Sequence, residues 1–542
     1  MPFARLARVD VDSVLYRAQV ARTLLETGIL RPTRPDRALR AVAALRRWGA
    51  TPAAAYEGSA ARHPDRIALI DERGSLTFAE VHRRTNALAW SLRDAGVAEG
   101  DGVAIMCRNH RGFVEATVAC SKLGADVLYL NTAFAAPQIA EVLQREGPSV
   151  VIYDSEFAEL VAKGATRRKR FIAWSEPEER LREPRLEDLI AGGDPHGVRP
   201  PRETGRVVIL TSGTTGAPKG ARRKEPDSLE PMAAMLSKIP LRARQTTVIA
   251  APMFHSWGFA HFTLALPLAS TLVLRRRFDP EDTLRAVAEH RASALALVPV
   301  MLQRILDLDP ARRERYDVSS LRIVALSGSA LTGELATRAM DALGDVVYNL
   351  YGSTEVAWAT IATPEDLRAA PGTAGRPPLG TVVRLMDGEG REVPAGGTGR
   401  IFVGNEMMFE GYTGGGGKEI IGGLMSTGDV GRFDADGRLF VEGRDDEMIV
   451  SGGENVFPRE VEDLLADHPD VEEVAVVGVP DDEFGQRLRA YVVARNGAAL
   501  DEDTVKRHVR ENLARYKVPR EVVFMDELPR NATGKVLKRE LG

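Results

Sequence analysis

Ten consecutive residues, Thr211-Ser212-Gly213-Thr214-Thr215-Gly216-Ala217-Pro218-Lys219-Gly220, follow the apolar run RVVIL and concentrate the groups that bind phosphate. Glycines free the backbone so that successive N–H groups can converge on an oxyanion, and the hydroxyls and the lysine add donors. A loop of the type G-x-x-x-x-G-K-[ST] would need Gly at 218 and Ser or Thr at 220. Pro218 and Gly220 break it at both positions, which disfavours an ordinary P-loop nucleotidase. Further along, Glu355 follows a turn containing Gly352, where a carboxylate can hold the hard Mg²⁺ that bridges nucleotide phosphates, with the Thr354 hydroxyl free to touch an α-phosphate. Tyr351 offers a flat face for a purine. Asp429 can accept from both hydroxyls of a ribose, and Arg444 can donate to the same sugar.

These residues are carried by alternating short β-rich runs and longer helical patterns. RIALIDE, TFAEVHRRTNALAWSLRDAG, GVAIMCR, GFVEATVACSKLGA, DVLYLN, AAPQIAEVLQREG and SVVIYD succeed one another from about residue 51, and the same rhythm continues to about residue 365. Such alternation predicts α/β layers around largely parallel sheet. Beyond residue 365, short strands between Gly-rich turns predict a small β-rich, barrel-like subdomain. A boundary near Arg444–Glu447 then separates a compact α+β tail. The expected domains are a basic helical extension over 1–50, a large domain over 51–445 and a small mobile domain over 446–542.

A chain of 542 residues with 44% hydrophobic and 27% charged residues is globular and too long for a single binding module. Its formal net charge of −4 provides no global field for nucleic acid. Cys107 and Cys120 are the two cysteines, each in an apolar setting, so neither a disulfide framework nor a cysteine metal cluster is expected and a reducing cytoplasm fits best. No long uninterrupted apolar run predicts a membrane span, and the amino terminus lacks the apolar stretch of a signal peptide. Residues 1–50 do hold ten arginines against four acids. Their helical spacing leaves two expectations, a helical preface packed on the main domain or a helix making weak, peripheral contact with an anionic inner membrane surface.

The decapeptide resembles the phosphate loop of the adenylate-forming superfamily of acyl-CoA synthetases, peptide-synthetase adenylation domains and luciferases. Four further segments agree in order: Tyr351-Gly352-Ser353-Thr354-Glu355; Ser426-Thr427-Gly428-Asp429; Gly443-Arg444-Asp445-Asp446 running into Ser451-Gly452-Gly453-Glu454-Asn455; and Pro529-Arg530-Asn531-Ala532-Thr533-Gly534-Lys535. Together they span about residues 51 to 541. The resemblance implies an α/β fold with a large adenylate-forming domain, made of two layered α/β subdomains and the small β-barrel-like one, and a small mobile α+β carboxy-terminal domain.

It also implies roles. Thr211, Ser212, Gly213, Thr214, Thr215 and Lys219 would bind the nucleotide phosphates. Thr354 and Glu355 would serve the α-phosphate and Mg²⁺, and Tyr351 and Gly352 would lie against adenine. Asn349 would sit near the exocyclic amine, with Gly328-Ser329-Ala330 beside the nucleotide, and Asp429 and Arg444 would hold the ribose. Lys535 would swing in to bridge the acyl carboxylate and the α-phosphate, offsetting the repulsion of two anions as they meet. Asp446 would be the hinge about which the small domain rotates between two half-reactions. Ser451, Gly452 and Gly453 would line the passage for the pantetheine thiol of coenzyme A.

The segment Pro252-Met253-Phe254-His255-Ser256-Trp257-Gly258-Phe259-Ala260-His261-Phe262 opens an apolar stretch, TLALPLASTLVL, read as helical. By resemblance His255 flanks the acyl carboxylate and Trp257, Gly258 and Phe259 line the acyl pocket. No Asp or Lys there would pair an ammonium or a second carboxylate, which favours an apolar acyl group. The leading expectation is an AMP-forming fatty acyl-CoA ligase using ATP, Mg²⁺ and coenzyme A on a medium- or long-chain acid, with a homodimer left open. A fatty acyl-AMP ligase loading a carrier protein is the near alternative, disfavoured by Gly452 and Gly453. A non-catalytic acyl or nucleotide sensor is the distant one, disfavoured by the retention of Lys535, Glu355 and Lys219. One departure is Gly411-Tyr412-Thr413 followed by four glycines, where the family often carries charge.

Overall fold

The computed structural model describes residues 13–29, 34–164, 168–211, 219–223, 228–445, 449–451, 454–481, 485–513, 515–531 and 534–541. The apolar runs become the interior strands of two twisted sheets, and their composition explains why. Strands such as Ala294–Leu297 and Ile323–Leu326 are buried at every position, as expected where helices cover both faces of a parallel sheet. One sheet runs in the order Thr360–Ala362, Val347–Tyr351, Ile323–Leu326, Ala294–Leu297, Thr246–Ile249, Thr271–Leu274, Ile67–Asp71, Gly74–Thr77, parallel except at its two edges. The other runs Gly411–Tyr412, Lys219–Arg223, Val207–Thr211, Asp126–Tyr129, Gly102–Met106, Val150–Asp154, Lys169–Trp174. In it Val207–Thr211 and Lys219–Arg223 are antiparallel with Thr211 opposite Lys219. The glycine-rich loop therefore joins the ends of two adjacent strands.

The apolar stretch after His255 departs from the expected helix. The helix covers Ser256–Ala265 and stops before Pro267; Ala269 takes a left-handed φ of 49°, and Thr271–Leu274 is a fully buried strand. A proline removes a helical N–H, and TLVL is β-branched enough to complete the eight-stranded sheet.

The basic extension is packed on the large domain. Helices α1 (Ser13–Glu26), α2 (Pro35–Trp48) and α3 (Pro52–Arg62) follow one another. Tyr16 of α1 donates to Glu230 at 3.1 Å, and Leu24 and Ile29 join a core with Met232 and Trp257. Their burial contributes about 1.5–3 kcal/mol each. On α2, Trp48 donates to Glu57 at 2.7 Å, Arg47 to the Val198 carbonyl at 2.6 Å and Arg37 to the Arg62 carbonyl at 3.1 Å. Thr51 caps α3 by accepting from the Ala54 N–H. Val14, Leu15, Leu25, Leu39, Val42 and Leu45 nonetheless stay exposed, six of the eight large exposed apolar side chains among the described residues. No helix of the described residues is long and apolar enough to cross a membrane.

Past residue 380, strands Val382–Met386, Thr398–Gly404, Leu424–Phe433 and Leu439–Arg444 form an antiparallel sheet. The tail builds its own sheet from Ile449–Ser451, Glu454–Val456, Val471–Asp481, Gly485–Ala494 and Glu521–Phe524 over a core that includes Val461, Leu465, Val476, Leu488 and Val505. It touches the large domain at Gly534, whose missing Cβ would lie 2.3 Å from Val300 Cγ1, and at Arg495, 3.9 Å from Glu334.

Candidate active site

Strand alternation sets the floor of the site. From Lys219, every second residue of its strand faces one way, so Lys219, Ala221 and Arg223 all line a cavity of about 1120 Å³ while Arg222 points out to solvent. The cavity runs from Asp429, Arg444 and Lys535 at one end, past Glu355, Thr354 and His255, to Ala54, Gly58, Val42 and Leu45 of α3 and α2 at the other.

The turn after Val347–Tyr351 is held tightly. A Cβ on Gly352 would lie 2.4 Å from the Ala357 carbonyl oxygen, and Ala357 itself is left-handed at φ 62°, a conformation that costs a non-glycine residue free energy and that packing must impose. The turn presents Thr354 with its Oγ1 3.4 Å from Ser256 Oγ, and buries Glu355 to 8% exposure. Tyr412, from the edge strand beside Lys219, donates to Glu355 Oε1 at 2.7 Å; burial, with this carboxylate beside it, pushes the phenol up. The second oxygen, Oε2, has no partner among the described residues. A hard carboxylate oxygen left over beside the phosphate-loop strand fits a divalent cation.

At the far side Asp429 and Arg444 sit opposite each other on paired strands, with Arg444 Nη1 3.4 Å from Asp429 Oδ1. Tyr351 donates to Asp429 Oδ2 at 2.6 Å. Burial raises the Asp429 carboxyl, opposed by Tyr351, Arg444 and Lys535. Tyr351 therefore spends its hydroxyl on the aspartate and packs its ring beside Ala221 and Val356; it is not part of the cavity wall. Ser327 and Gly328 line the cavity, whereas Ser329 and Ala330 do not. Asn349 is buried nearby with its Oδ1 unpaired.

Lys535 is exposed and lines the cavity at the Asp429 end. Its turn is closed by the backbone, with the Lys535 N–H donating to Asn531 Oδ1 and the Asn531 N–H to the Lys535 carbonyl, both at 2.9 Å. Ser212, Gly213, Thr214, Thr215, Asp446, Gly452 and Gly453 lie outside the described residues. Thr211 and Ser451 are placed by their backbone, each at a strand end.

His255 occupies the residue before the Ser256–Ala265 helix without a side-chain capping bond, and its Nε2 is buried without a partner. Burial pulls its pKa down to about 4, so the ring is neutral at pH 7. Trp257, Gly258 and Phe259 line the cavity; Trp257 donates to the Leu297 carbonyl at 3.1 Å. A Cβ on Gly258 would lie 2.4 Å from the Pro252 oxygen, so the helix can start there only with glycine.

Sequence reasoning missed three contributors. Tyr412 and Arg223 reach Glu355 and Thr354 across 57 and 131 residues, a pairing that only the fold reveals; alternation from Lys219 was the available signal for Arg223. The α2–α3 wall is not legible because arginines dominate the pattern of α2, while the cavity-facing residues Ala38, Ala41, Val42, Leu45, Ala54 and Gly58 are small or aliphatic and carry no chemical signature. The buried set Cys107, His110 and Asp154 brings three ligand atoms within 4.8 Å. His110 is spent within the protein, accepting from the Gly112 N–H at Nδ1 and pairing with Asp154 at 2.7 Å through Nε2.

Comparison with known proteins agrees with this geometry. Residues 56–413 match the model of the AMP-binding enzyme family and residues 460–535 that of the AMP-binding enzyme C-terminal domain. The chain is 36% identical over 472 residues to a feruloyl-CoA synthase from Amycolatopsis, covering 86% of this chain and 93% of that one. It is 30% identical to a fatty acid–[acyl-carrier-protein] ligase from Streptomyces coeruleorubidus, covering 89% and 94%. Its fold superposes with a TM-score of 0.80 at 25% identity on an anthranilate CoA ligase bound to anthranoyl-AMP, covering 91% and 96%.

Proposed function

The chain belongs to the AMP-binding enzyme family, and from that premise we propose that it is an AMP-forming ligase joining a medium- or long-chain fatty acid to coenzyme A. The observation that carries the acyl reading is the shape of the cavity. Beyond Phe259 it continues to α3 and α2, where Ala41, Val42, Leu45, Ala54 and Gly58 make an apolar wall suited to a flexible chain.

In the first half-reaction the acid's carboxylate oxygen attacks the α-phosphorus of ATP, forming the acyl–phosphate bond as the bond to pyrophosphate breaks. Lys219 lies at the phosphate-loop strand, Asp429 and Arg444 face the ribose, and Lys535 approaches from the small domain to offset the meeting of two anions. Neutral His255 and the Thr354 hydroxyl orient the carboxylate without adding charge. Glu355 would hold Mg²⁺ through Oε2; such an ion neutralises charge on the phosphate oxygens. In the second half-reaction the thiol of coenzyme A attacks the acyl carbonyl, the carbon–sulfur bond forms, AMP departs and the thiol proton is released. Rotation about Asp446 would bring Ser451, Gly452 and Gly453 to the thiol's path.

A second reading, an aromatic acid, draws support from the feruloyl-CoA synthase relative and from the rings of Trp257 and Phe259, which line the cavity next to His255. The test is pyrophosphate release across C2 to C20 acids and ferulate, with coenzyme A, with a phosphopantetheinylated carrier protein, or with neither. Preference for long acids with coenzyme A supports the proposal. Preference for ferulate selects the second reading, and turnover only with the carrier moves the acceptor.

A further inference from the structure

Arg223 is a cation that the site geometry leaves without an occupation of its own. It closes the strand Lys219–Arg223 and lines the cavity beside Leu229, Met232 and Trp358. One of its five N–H donors goes to the Thr354 carbonyl at 2.6 Å, and its buried Nε has no partner. No carboxylate lies within 4.0 Å of it among the described residues, so the charge of Glu355 reaches it only from a distance. Among the described residues many half-buried arginines pair with acids, as Arg84 does with Glu115 and Arg111 with Asp71. Keeping a guanidinium unpaired in an apolar wall is costly, and such groups cluster where ligands bind.

Its position says which ligand. Four residues of extended strand separate the Lys219 and Arg223 Cα atoms by roughly 13 Å, so the two side chains are rooted at opposite ends of the strand. Lys219 stands at the phosphate-loop end. Arg223 stands where the Thr354 turn meets Ser256 and His255, at the junction of the nucleotide and acyl halves of the cavity. His255 is neutral, which leaves Arg223 as the cation that the described large-domain wall offers at that junction.

We propose that Arg223 is a fixed anion anchor for the acyl group: it holds the acid's carboxylate, and then the acyl-adenylate phosphate, at the Thr354 turn. This rests on the two-half-reaction reading above. Lys535 belongs to the small domain and leaves when that domain rotates, whereas Arg223 stays. When the thiol attacks and the carbon–oxygen bond breaks, the negative charge left on AMP is met by Arg223.

The full-length enzyme and its Arg223→Met and Arg223→Lys variants are compared. The readouts are KM for the acid, thioester formation from supplied acyl-AMP, Kd for MgATP by calorimetry and thermal midpoint. Arg223→Met is expected to raise the acid KM and slow thioester formation by about 10²–10³-fold, with the MgATP Kd changed by only about threefold. Arg223→Lys can still donate to the Thr354 carbonyl, so it should recover the thermal midpoint while the acid KM stays about tenfold high, because an ammonium lacks the planar fork. Should Arg223→Met not fold, the lysine variant alone carries the test. An acid KM and a thioester rate within twofold of the parent in either folded variant would overturn the anchor, and recovery of every parameter by lysine would reduce Arg223 to a pin for the turn. A parent enzyme that transfers no acid to any thiol would instead refute the functional reading itself.

Discussion

Removing the Lys535 ammonium separates chemistry from architecture more cleanly than any other change in this site. The side chain is exposed, and its turn is closed by backbone and Asn531 bonds that an alanine retains. Lys535→Ala should therefore shift stability by no more than about 0.5 kcal/mol, as for other exposed positions. The charge itself faces the cavity at the Asp429 end, where it helps hold that carboxyl ionised against its burial. Losing one preorganised donor to developing charge typically costs about 10²–10³ in rate, or 2.7–4 kcal/mol, and an ammonium between two anions belongs at the upper end. Adenylation, followed as pyrophosphate release, should fall by that factor. Thioester formation from supplied acyl-AMP should stay within a few-fold of the parent, because carboxylate and α-phosphate are already joined. Equal loss of both half-reactions, with circular dichroism unchanged, would refute the reasoning that the lysine serves one pose of an alternating domain.

Glu355→Gln removes the oxygen left for the cation while keeping a hydrogen-bond acceptor for Tyr412, so MgATP affinity should drop about tenfold or more in a titration whereas the thermal midpoint changes little. Gly258→Ala forces a Cβ against the Pro252 carbonyl and should cost about 1–3 kcal/mol in denaturant unfolding, with acid kcat/KM falling as His255 shifts. His261 is buried with both ring nitrogens unpaired and its pKa pulled down to about 4 by burial. Its folded value lies below the unfolded one near 6.5, so its penalty is absent above pH 6.5 and grows as pH falls toward 4. The slope is up to about 1.4 kcal/mol per pH unit, and His261→Phe should flatten the stability profile in that window. Leu25→Glu on α1 and Leu39→Glu on α2, both exposed and outside the cavity lining, test weak contact with a bilayer: cosedimentation with phosphatidylglycerol vesicles should fall relative to the parent and fade with salt, and no sedimentation of the parent would end that idea.

What could be read from the sequence was whatever is encoded locally. Parallel strands buried on both faces announce themselves as apolar runs, and the ordered segments around Glu355, Asp429 and Lys535 declare a nucleotide chemistry because each carries its donors within a few residues. Long-range complementarity was not legible. The Tyr412 hydroxyl means nothing until the fold lays the Gly411–Tyr412 edge against Lys219–Arg223 and brings it to Glu355. The same holds for α2, whose outward arginines read as a solvent or membrane face although Ala38, Ala41, Val42 and Leu45 close the acyl end of the cavity. Even where composition was informative it was ambiguous: TLALPLASTLVL is apolar throughout, and hydrophobicity alone cannot say that the first part is helix and the last part strand. Pro267 and the left-handed Ala269 decide it, one by lacking a donor and the other by a backbone angle that only the finished sheet imposes. The consequence for function is concrete. On the fatty-acid reading the length of acyl chain accepted would be set by how α2 and α3 sit across the far end. A Cβ added at Gly58 would lie 3.8 Å from Ala41, so bulk added at either residue should shorten the preferred acid by displacing the end of the chain, while leaving adenylation of a short acid unchanged. A panel in which Ala41→Phe lowers kcat/KM for long and short acids alike would show that the acyl chain does not reach these helices.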